Sequence, residues 1–373
     1  MWDVEGKKYL DFFAGFATLN QGHCHPRIVN AMREQVGILH HTARAIGHNL
    51  LYQVSEKLTS LFDYEKVLLT NTGVEGGETA VKLARKWGYQ KKKIATGQAG
   101  VVFAEGNFWG RTLAAISSSC DPTSYREFEP LMPGFHKVPY NNLEKLEEKL
   151  RDPNICAFMV EPLQGEAGAV VPDVGYLKGV RELCTKYNVL WIDDEVQAGL
   201  GRTGKLLCCD HEQVKPDILI LGKALSGGVY PIAAVLADSK IMDCFTPGTH
   251  GSTYGGNPLA CKIAMTALDV ILEENLVENS AKMGEIFRSE LTKRLDKKRV
   301  KLVRGLGLLN AIVLDPNFRT AKEVSLALKQ NGLITKQIKD NILRVSPALS
   351  ITEEQLRSGI DILVNTINSM PAK

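Results

Sequence analysis

Features typical of membrane and secreted proteins are missing from this 373-residue chain. No apolar run approaches the length of a membrane-spanning helix, and the first residues do not form a signal peptide. The eight cysteines include no Cys-x-x-Cys pair, and a chain of this length needs no disulfide framework in order to fold. We therefore expect a protein of a reducing compartment that does not cross a membrane.

An excess of charge of either sign is missing as well. The chain has 45 lysines and arginines against 42 aspartates and glutamates, a formal net charge of +3. No basic patch interleaved with aromatic residues stands out, so we expect no nucleic acid and no membrane surface as partner. His23, Cys24 and His25 form a cluster of metal-ligand residue types, but neighbours in a single segment rarely chelate one ion. We interpret them as a packed turn and predict no metal.

The first twelve residues predict a β-hairpin, because Asp3-Val4-Glu5-Gly6 is a turn sequence between two short strands. A chain that begins inside a hairpin suggests that a longer segment precedes it. We therefore interpret residues 1–16 as the remnant of an N-terminal segment. A targeting sequence would belong to that segment, so its absence gives no information on the compartment.

Between about residues 66 and 256, short apolar runs alternate with amphipathic helical stretches such as Glu78–Gln90 and Tyr176–Tyr187. Continuous β-branched runs are typical of strands that are buried on both faces, as in a parallel sheet. Residues 17–265 are therefore predicted to form a large α/β sandwich domain with a mostly parallel sheet. The predicted strands are Lys66–Thr70, Gly100–Ala104, Ile155–Val160, Val189–Ile192, Ile218–Leu221 and Ile232–Leu236.

The pattern then changes to that of a smaller α+β domain, residues 266–373. One long strand is predicted at Lys301–Leu314, and a pair of strands on either side of Asp340-Asn341. The predicted helices are Ala260–Glu274, Glu278–Lys298, Thr320–Gln330 and Thr352–Ile367.

Lys223 is the first candidate catalytic residue. It follows the apolar run Ile218–Leu221 and precedes a glycine-rich turn. Ligands of α/β sheets bind at the carboxyl ends of strands, where a desolvated lysine can become nucleophilic and form a Schiff base. A surface lysine that merely closes a strand would give the same local pattern.

Two other strand ends favour a pyridoxal phosphate site. Asp194 ends another buried strand and could face a protonated pyridine nitrogen, whereas Asp193 and Glu195 should point elsewhere because side chains alternate along a strand. An acidic helix cap is the other interpretation of Asp194. In Asn71–Ala80 a strand end leads through a glycine-rich turn into a helix start, which is a phosphate cradle. The three features together predict that Lys223 binds pyridoxal 5′-phosphate.

Eight stretches carry long motifs of a single enzyme family. In these motifs, and over nearly its whole length, the sequence resembles the class III aminotransferases, which have the fold type I of pyridoxal-phosphate-dependent transferases. Within that family it looks most like the ornithine δ-aminotransferases. The matching stretches are Asn20–Pro26, Asn71–Tyr89, Gly106–Ser119, Asp121–Ser124, Met132–Phe135, Phe158–Gly168, Gly222–Gly228 and His250–Leu259.

The resemblance implies cofactor-binding roles. Lys223 would form the aldimine with the cofactor and then move protons. Asp194 would pair with the pyridine nitrogen, Gln197 would hydrogen-bond the phenolic oxygen and Phe108 would stack on the ring.

The resemblance also implies how the phosphate is held. Gly73 and Val74 would donate backbone N–H groups. Ser252 and Thr253 would reach the phosphate of a neighbouring subunit, so the active form would be a homodimer or a higher oligomer.

On the substrate side, the resemblance places Arg111 at the α-carboxylate of L-ornithine and Arg344 at the α-carboxylate of 2-oxoglutarate or glutamate. Glu166 would form an ion pair with Arg344 that an incoming dicarboxylate displaces. Trp109 would shape the substrate side. A purely structural salt bridge remains the alternative for Glu166, and simple core packing the alternative for Phe108 and Trp109.

The sequence departs from the family pattern at a few positions. Phe16 stands where ornithine aminotransferases usually have a tyrosine that helps to seat ornithine. Phenylalanine keeps the ring and loses the hydroxyl, which lowers the expected affinity for ornithine. Leu190–Asp193 and the pair Cys208-Cys209 also differ from the common pattern, and we interpret them as packing changes.

The resemblance thus implies transfer of the terminal amine of L-ornithine to 2-oxoglutarate, giving glutamate 5-semialdehyde (pyrroline-5-carboxylate) and glutamate. That reaction belongs to proline biosynthesis and arginine catabolism. Alternatives are another class III ω-aminotransferase that uses 4-aminobutyrate, acetylornithine or lysine, or a non-catalytic homologue that binds the cofactor. The mitochondrial matrix is implied by the resemblance, with the cytoplasm as the alternative.

Overall fold

The computed structural model describes residues 1–43 and 45–371, which form thirteen strands in three sheets. The strands are β1 (Leu10–Asp11), β2 (Lys66–Thr70), β3 (Gly100–Ala104), β4 (Phe135–Val138), β5 (Ile155–Val160), β6 (Leu190–Asp194), β7 (Ile218–Leu221), β8 (Ala233–Ala237), β9 (Val300–Leu306), β10 (Leu309–Leu314), β11 (Leu333–Ile334), β12 (Lys336–Ile338) and β13 (Ile342–Val345).

Helices cover the sheets, and none within the described residues is long and apolar enough to cross a membrane. They are α1 (Ala14–Ala17), α2 (Pro26–Val36), α3 (Asn49–Phe62), α4 (Gly73–Gln90), α5 (Leu113–Ser117), α6 (Pro122–Tyr125), α7 (Leu143–Leu150), α8 (Tyr176–Lys186), α9 (Ser239–Met242), α10 (Pro258–Glu273), α11 (Leu276–Arg294), α12 (Ala321–Gln330) and α13 (Glu353–Ser369).

The central sheet has seven strands in the order β2-β8-β7-β6-β5-β3-β4. Its strands pair in parallel except β8, which runs antiparallel to both β2 and β7. Alternate side chains enter two hydrophobic cores on opposite faces, with Trp191 in one and Ile192 in the other. The predicted α/β class and mostly parallel sheet are confirmed. The six predicted strands are present within two residues of their predicted ends, and β4 was not predicted.

A second sheet of four strands, in the order β12-β13-β10-β9, lies in the C-terminal part of the chain. The single long strand predicted at Lys301–Leu314 is wrong, because β9 and β10 form an antiparallel hairpin with Leu309 opposite Leu306. Gly307 turns the chain with φ +50°, and a Cβ there would lie 2.4 Å from the carbonyl carbon of Thr203. Because this turn lies within an apolar run, the sequence pattern does not indicate it. The strand pair predicted around Asp340-Asn341 is confirmed as β12 and β13.

The N-terminal residues pack against the C-terminal part of the chain. Trp2 and Lys8 form an antiparallel bridge, which confirms the predicted hairpin. β1 then pairs in parallel with β11, so that Leu10 lies opposite Leu333. The boundary predicted at residue 265 falls inside α10, and the division into residues 17–265 and 266–373 stays a prediction.

Arg202 joins three parts of the fold. Its side chain is fully buried, and Nε donates to Asn20 Oδ1 at 3.0 Å while Nη1 donates to the carbonyl oxygen of Leu308 at 3.1 Å and to that of Pro347. Burial lowers the pKa of the guanidinium to about 9. A buried cation is retained here because carbonyl and amide oxygens satisfy it.

We expect Arg202→Met to lower the free energy of unfolding by about 3 kcal/mol, because several buried acceptors lose their donor at once. Urea denaturation followed by far-ultraviolet circular dichroism measures this. Arg27→Met is the matched control, since Arg27 forms a solvent-exposed ion pair with Glu273 and should cost less than ~1 kcal/mol. An equal loss of unfolding free energy in the two variants would contradict this stabilising role of Arg202.

Candidate active site

The candidate site lies at the carboxyl ends of the central strands, where β2, β5, β6 and β7 deliver polar residues to two adjoining cavities of about 350 and 250 Å³. Gly73 and Lys223 line both of them. The smaller cavity is lined by Gly73, Val74, Phe108, Trp109, Gly110, Glu161, Glu166, Asp194, Val196, Gln197 and Lys223.

Lys223 sits at the end of β7, on the first residue of a short 3₁₀ turn that ends at Ser226. Its φ of +40° is in the left-handed region, which non-glycine residues enter at a cost and which is common at functional sites. Burial lowers the pKa of its amine from 10.5 to about 8, while Glu166 opposes this shift and Arg344 adds to it. A large neutral fraction near neutral pH suits a nucleophilic lysine.

Asp194 faces the same cavity from the end of β6 and is buried. Its Oδ1 accepts a hydrogen bond from the backbone N–H of Val196 at 3.1 Å. Burial raises the pKa of this carboxyl to about 6, although the Val196 N–H and Lys223 oppose the shift. A cationic ring nitrogen placed against a buried carboxylate stabilises the charged form of that carboxylate. As expected from alternation, Asp193 and Glu195 are not among the residues that line the cavity.

The glycine-rich segment forms the start of α4. Thr72 is its N-cap, and the Thr72 Oγ1 accepts from the N–H of Glu75 at 3.3 Å. The first N–H groups of a helix, here those of Gly73 and Val74, have no acceptor within the helix. A Cβ on Gly73 would lie 2.8 Å from Val196 Cγ1, so glycine allows close packing at this edge. The helix start therefore fits an anion such as a phosphate.

Phe108 and Trp109 have different surroundings. Phe108 is 38% exposed and lines the cavity. Trp109 is buried, with its ring stacked on Phe103 at a centroid distance of 5.8 Å and its Nε1 donating to Ser118 Oγ at 2.8 Å. Trp109 thus forms a fixed wall of the cavity, whereas Phe108 is free to contact a ligand.

Glu161 is a site residue that the sequence did not single out. It follows β5, lines the cavity, and accepts the backbone N–H of Phe108 on Oε1 at 2.9 Å. Burial and the neighbouring Asp194 raise the pKa of its carboxyl to about 8. The sequence pattern that points to Asp194, a carboxylate at the end of a buried strand, points to Glu161 as well.

Arg344 and Glu166 form the expected ion pair, and Gln197 bridges it. Arg344 Nη1 donates to Glu166 Oε1 and to Gln197 Oε1, the latter at 3.2 Å, and Gln197 Nε2 donates to Glu166 Oε1 at 3.2 Å. Arg344 is fully buried, and its Nε and Nη2 have no hydrogen-bond partner among the described residues. These donors are available to a carboxylate.

Arg111 lies on the far side of Phe108. Its side chain is exposed, and its Cζ is 5.7 Å from the centre of the Phe108 ring. Arg111, Phe108 and Glu166 together line a cavity of about 460 Å³. Arg111 and Arg344 therefore both lie beside the Phe108–Glu166 region, Arg111 in this cavity and Arg344 in the ion pair with Glu166.

Phe16 is carried by α1, whose residues Ala14–Ala17 all have positive φ and form one left-handed turn. Such a turn costs energy at each non-glycine residue and places side chains where a right-handed turn would not. The Phe16 ring is 47% exposed, and its centre is 6.0 Å from Arg344 Cζ.

Ser252 and Thr253 lie near the start of α4 of their own chain. Asn71 Nδ2 donates to Ser252 Oγ at 2.9 Å, and Thr253 is exposed. A contact with the phosphate of a neighbouring subunit stays a prediction for both residues.

Comparison with known proteins identifies the family to which this site belongs. The family model described as Aminotransferase class-III matches residues 1–367. The chain belongs to the class III aminotransferases and is a pyridoxal-phosphate-dependent enzyme.

Individual relatives are similar over almost the whole chain. The mitochondrial ornithine aminotransferase of Drosophila melanogaster is 60% identical over 370 residues, which are 99% of this chain and 85% of that protein. The structure of the ornithine aminotransferase from Toxoplasma gondii matches with a TM-score of 0.97 at 45% identity, covering 99% of this chain and 88% of that one. An acetylornithine aminotransferase from Elizabethkingia anophelis matches with a TM-score of 0.89 at 50% identity, covering 99% and 91%.

We expect the cofactor-free protein to take up pyridoxal phosphate at a rate that rises with pH through about 8, because only the neutral amine of Lys223 is nucleophilic. Stopped-flow absorbance between pH 6.5 and 10 measures this. Glu166→Gln should move the midpoint to lower pH, because the anionic side chain that raises the pKa is lost. A midpoint near 10.5 in the unmodified protein would contradict this view of Lys223.

Proposed function

We propose that this enzyme transfers the terminal amine of L-ornithine to 2-oxoglutarate. The observation that carries the proposal is the presence of two arginines beside the Phe108–Glu166 region, of which Arg344 is in an ion pair with Glu166 and Arg111 is in no ion pair with the described residues. Such a site can receive two substrates whose α-carboxylates lie at different distances from the carbon that carries the reacting amine or keto group. The similarity to ornithine aminotransferases supports the same substrate.

The residues of the cavity fit pyridoxal phosphate by charge and by shape. A lysine of lowered pKa, a buried carboxyl and the N-terminus of α4 line one cavity. Lys223 would attach the cofactor, Asp194 would hold its ring nitrogen, Phe108 would cover a ring face and Gly73 and Val74 would bind its phosphate. When bound, the cofactor supplies an electron sink that makes a proton on the amine-bearing carbon acidic.

Lys223 is the base that we assign to this proton. Its Nζ alternates between the neutral and the protonated form, and a pKa of about 8 makes both accessible near neutral pH. Asp194 would face the ring nitrogen as an anion and would favour the protonated form of that nitrogen. Glu161, whose pKa is raised to about 8, fixes the backbone at Phe108 without adding a second full negative charge beside Asp194.

Substrate choice rests on the Glu166–Arg344 pair. With Glu166 in place, Arg344 is neutralised and ornithine binds through its α-carboxylate at Arg111, which leaves its terminal amine at Lys223. When 2-oxoglutarate or glutamate enters, its α-carboxylate replaces Glu166 at Arg344. Removing Glu166 without such a replacement would leave Arg344 buried and unpaired, which is costly. The exchange therefore requires the incoming carboxylate.

The test is a steady-state comparison of L-ornithine, N-acetylornithine and 4-aminobutyrate with 2-oxoglutarate as acceptor. We expect kcat/KM for L-ornithine to exceed the other two by about tenfold or more. A preference for N-acetylornithine would favour the function named for the Elizabethkingia relative. Borohydride trapping at Lys223 without turnover of any amine would favour the non-catalytic alternative.

We expect Glu166→Ala to shift the preference from terminal amines towards α-amines by about tenfold, because Arg344 is then open to any α-carboxylate. Single-turnover absorbance changes with ornithine and with glutamate measure the two half-reactions. Glu105→Ala is the control, since Glu105 is an exposed carboxylate at the end of β3. An unchanged ratio in Glu166→Ala would reduce the ion pair to a structural salt bridge.

We expect Phe16→Tyr to lower KM for ornithine by about three- to tenfold with little change in kcat, because the hydroxyl adds one hydrogen bond to the substrate. Phe13→Tyr is the matched control, since the Phe13 ring contacts Phe16 edge-on at 4.5 Å. If both variants leave KM unchanged, Phe16 does not contact ornithine.

The active form that we propose is a homodimer or a higher oligomer, in which Ser252 and Thr253 complete the phosphate site of the neighbouring subunit. We place the enzyme in proline biosynthesis and arginine catabolism. The mitochondrial matrix is the proposed location, supported by the name of the Drosophila relative, with the cytoplasm as the alternative.

A further inference from the structure

The face of β6 opposite Asp194 carries a second group of reactive side chains. Asp193 and Glu195 point to this face, and Cys209 meets them from the short 3₁₀ helix Cys208–His211. One carboxyl oxygen of each acid and the sulfur of Cys209 all lie within 4.8 Å of one another. Asp193 and Cys209 also belong to the two stretches in which the sequence departs from the family pattern.

All three side chains are buried, at 1% exposure or less. The Cys209 backbone N–H donates to Glu195 Oε1 at 2.9 Å. Apart from the Cys209 side chain, which lowers the pKa of both acids, both carboxyl oxygens of Asp193 and the second oxygen of Glu195 have no hydrogen-bond partner among the described residues. Buried polar atoms without partners are uncommon, and each such carboxyl oxygen has unused capacity to bind a ligand.

The ionisable neighbours of this group are acids. Burial is the largest cause that raises the pKa of Asp193, Glu195 and Cys209, and Asp210 adds to the shift in all three. No basic side chain is among the groups that shift these pKa values. A cation that replaces the protons of the three side chains would therefore have only acidic neighbours among them.

We propose that Asp193, Glu195 and Cys209 bind a zinc ion on the face of β6 opposite Asp194, a site that the sequence, from which we expected no metal, does not indicate. Ligands of a tetrahedral zinc, at ~2.0–2.3 Å from the ion, lie about 3.3–3.8 Å apart, so the three atoms, which lie within 4.8 Å of one another, would approach one another by up to ~1.5 Å to meet one ion. One thiolate with two carboxylates favours zinc over calcium or magnesium, which take oxygen ligands alone. Binding releases the protons of the carboxyl groups and the thiol to solvent.

The ion would fasten the Cys208–His211 turn to β6, next to the residue that faces the cofactor ring. Since Asp194 lies between two zinc ligands in the chain, the site would fix the backbone from which Asp194 projects. The ion would be structural, because its three protein ligands are buried on the side of β6 away from the cofactor cavity, and a water molecule would be its fourth ligand.

The test is the metal content of the holoenzyme, expressed in zinc-supplemented medium and desalted in the presence of EDTA. We expect about one zinc per chain by plasma mass spectrometry. Asp193→Asn and Cys209→Ser should each reduce this more than tenfold. Cys184→Ser is the matched control, because Cys184 is equally buried but lies on α8, and should keep its zinc. Loss of zinc in both ligand variants with retention in the control supports the proposal.

Two outcomes would overturn it. A folded, cofactor-loaded protein without stoichiometric zinc is the first, and zinc that survives both ligand variants is the second. If these variants do not fold, the zinc K-edge absorption spectrum of the unmodified holoenzyme decides instead. One sulfur with oxygen ligands supports the site, and a shell without sulfur contradicts it.

Discussion

The burial of the central sheet on both faces is the constraint on which the rest of this structure depends. Side chains of β3, β5, β6, β7 and β8 enter hydrophobic cores above and below, so polar groups on these strands are costly except at the ends. In a parallel sheet those ends meet at one edge. Lys223, Asp194 and Glu161 therefore converge although they are far apart in the sequence.

The same burial sets the chemistry of the converging groups. Lys223 has a lowered pKa, while Asp194 and Glu161 have raised values, and in each case desolvation is the largest cause. Desolvation acts against charge of either sign, so it moves bases and acids towards a common range near neutral pH. The Glu166–Arg344 pair meets the same condition by mutual neutralisation, with Gln197 as a neutral bridge.

Much of this could be predicted from the sequence, because strand ends are visible as the point where an apolar run stops. That rule located Lys223, Asp194 and the Gly73–Val74 helix start, and it would also have located Glu161. Other features could not be predicted locally. The sequence pattern does not predict the hairpin of β9 and β10, because only two residues, at Gly307, separate the two apolar strands. The left-handed turn at Phe16 is held by tertiary packing and has no sequence signal beyond Gly15.

The pairing of β1 with β11 has a consequence for how the chain is made. Leu10 and Leu333 are opposite each other in the sheet, although they are 323 positions apart in the sequence. At a synthesis rate of ~5–20 residues per second, β11 is made on the order of 20–60 s after β1. During that time Phe12, which is buried in the finished fold, has none of its C-terminal neighbours to cover it. Pairing of β1 with β11 is thus a late event of biosynthesis, and a nascent chain would need protection around Phe12 until its C-terminal neighbours have been made.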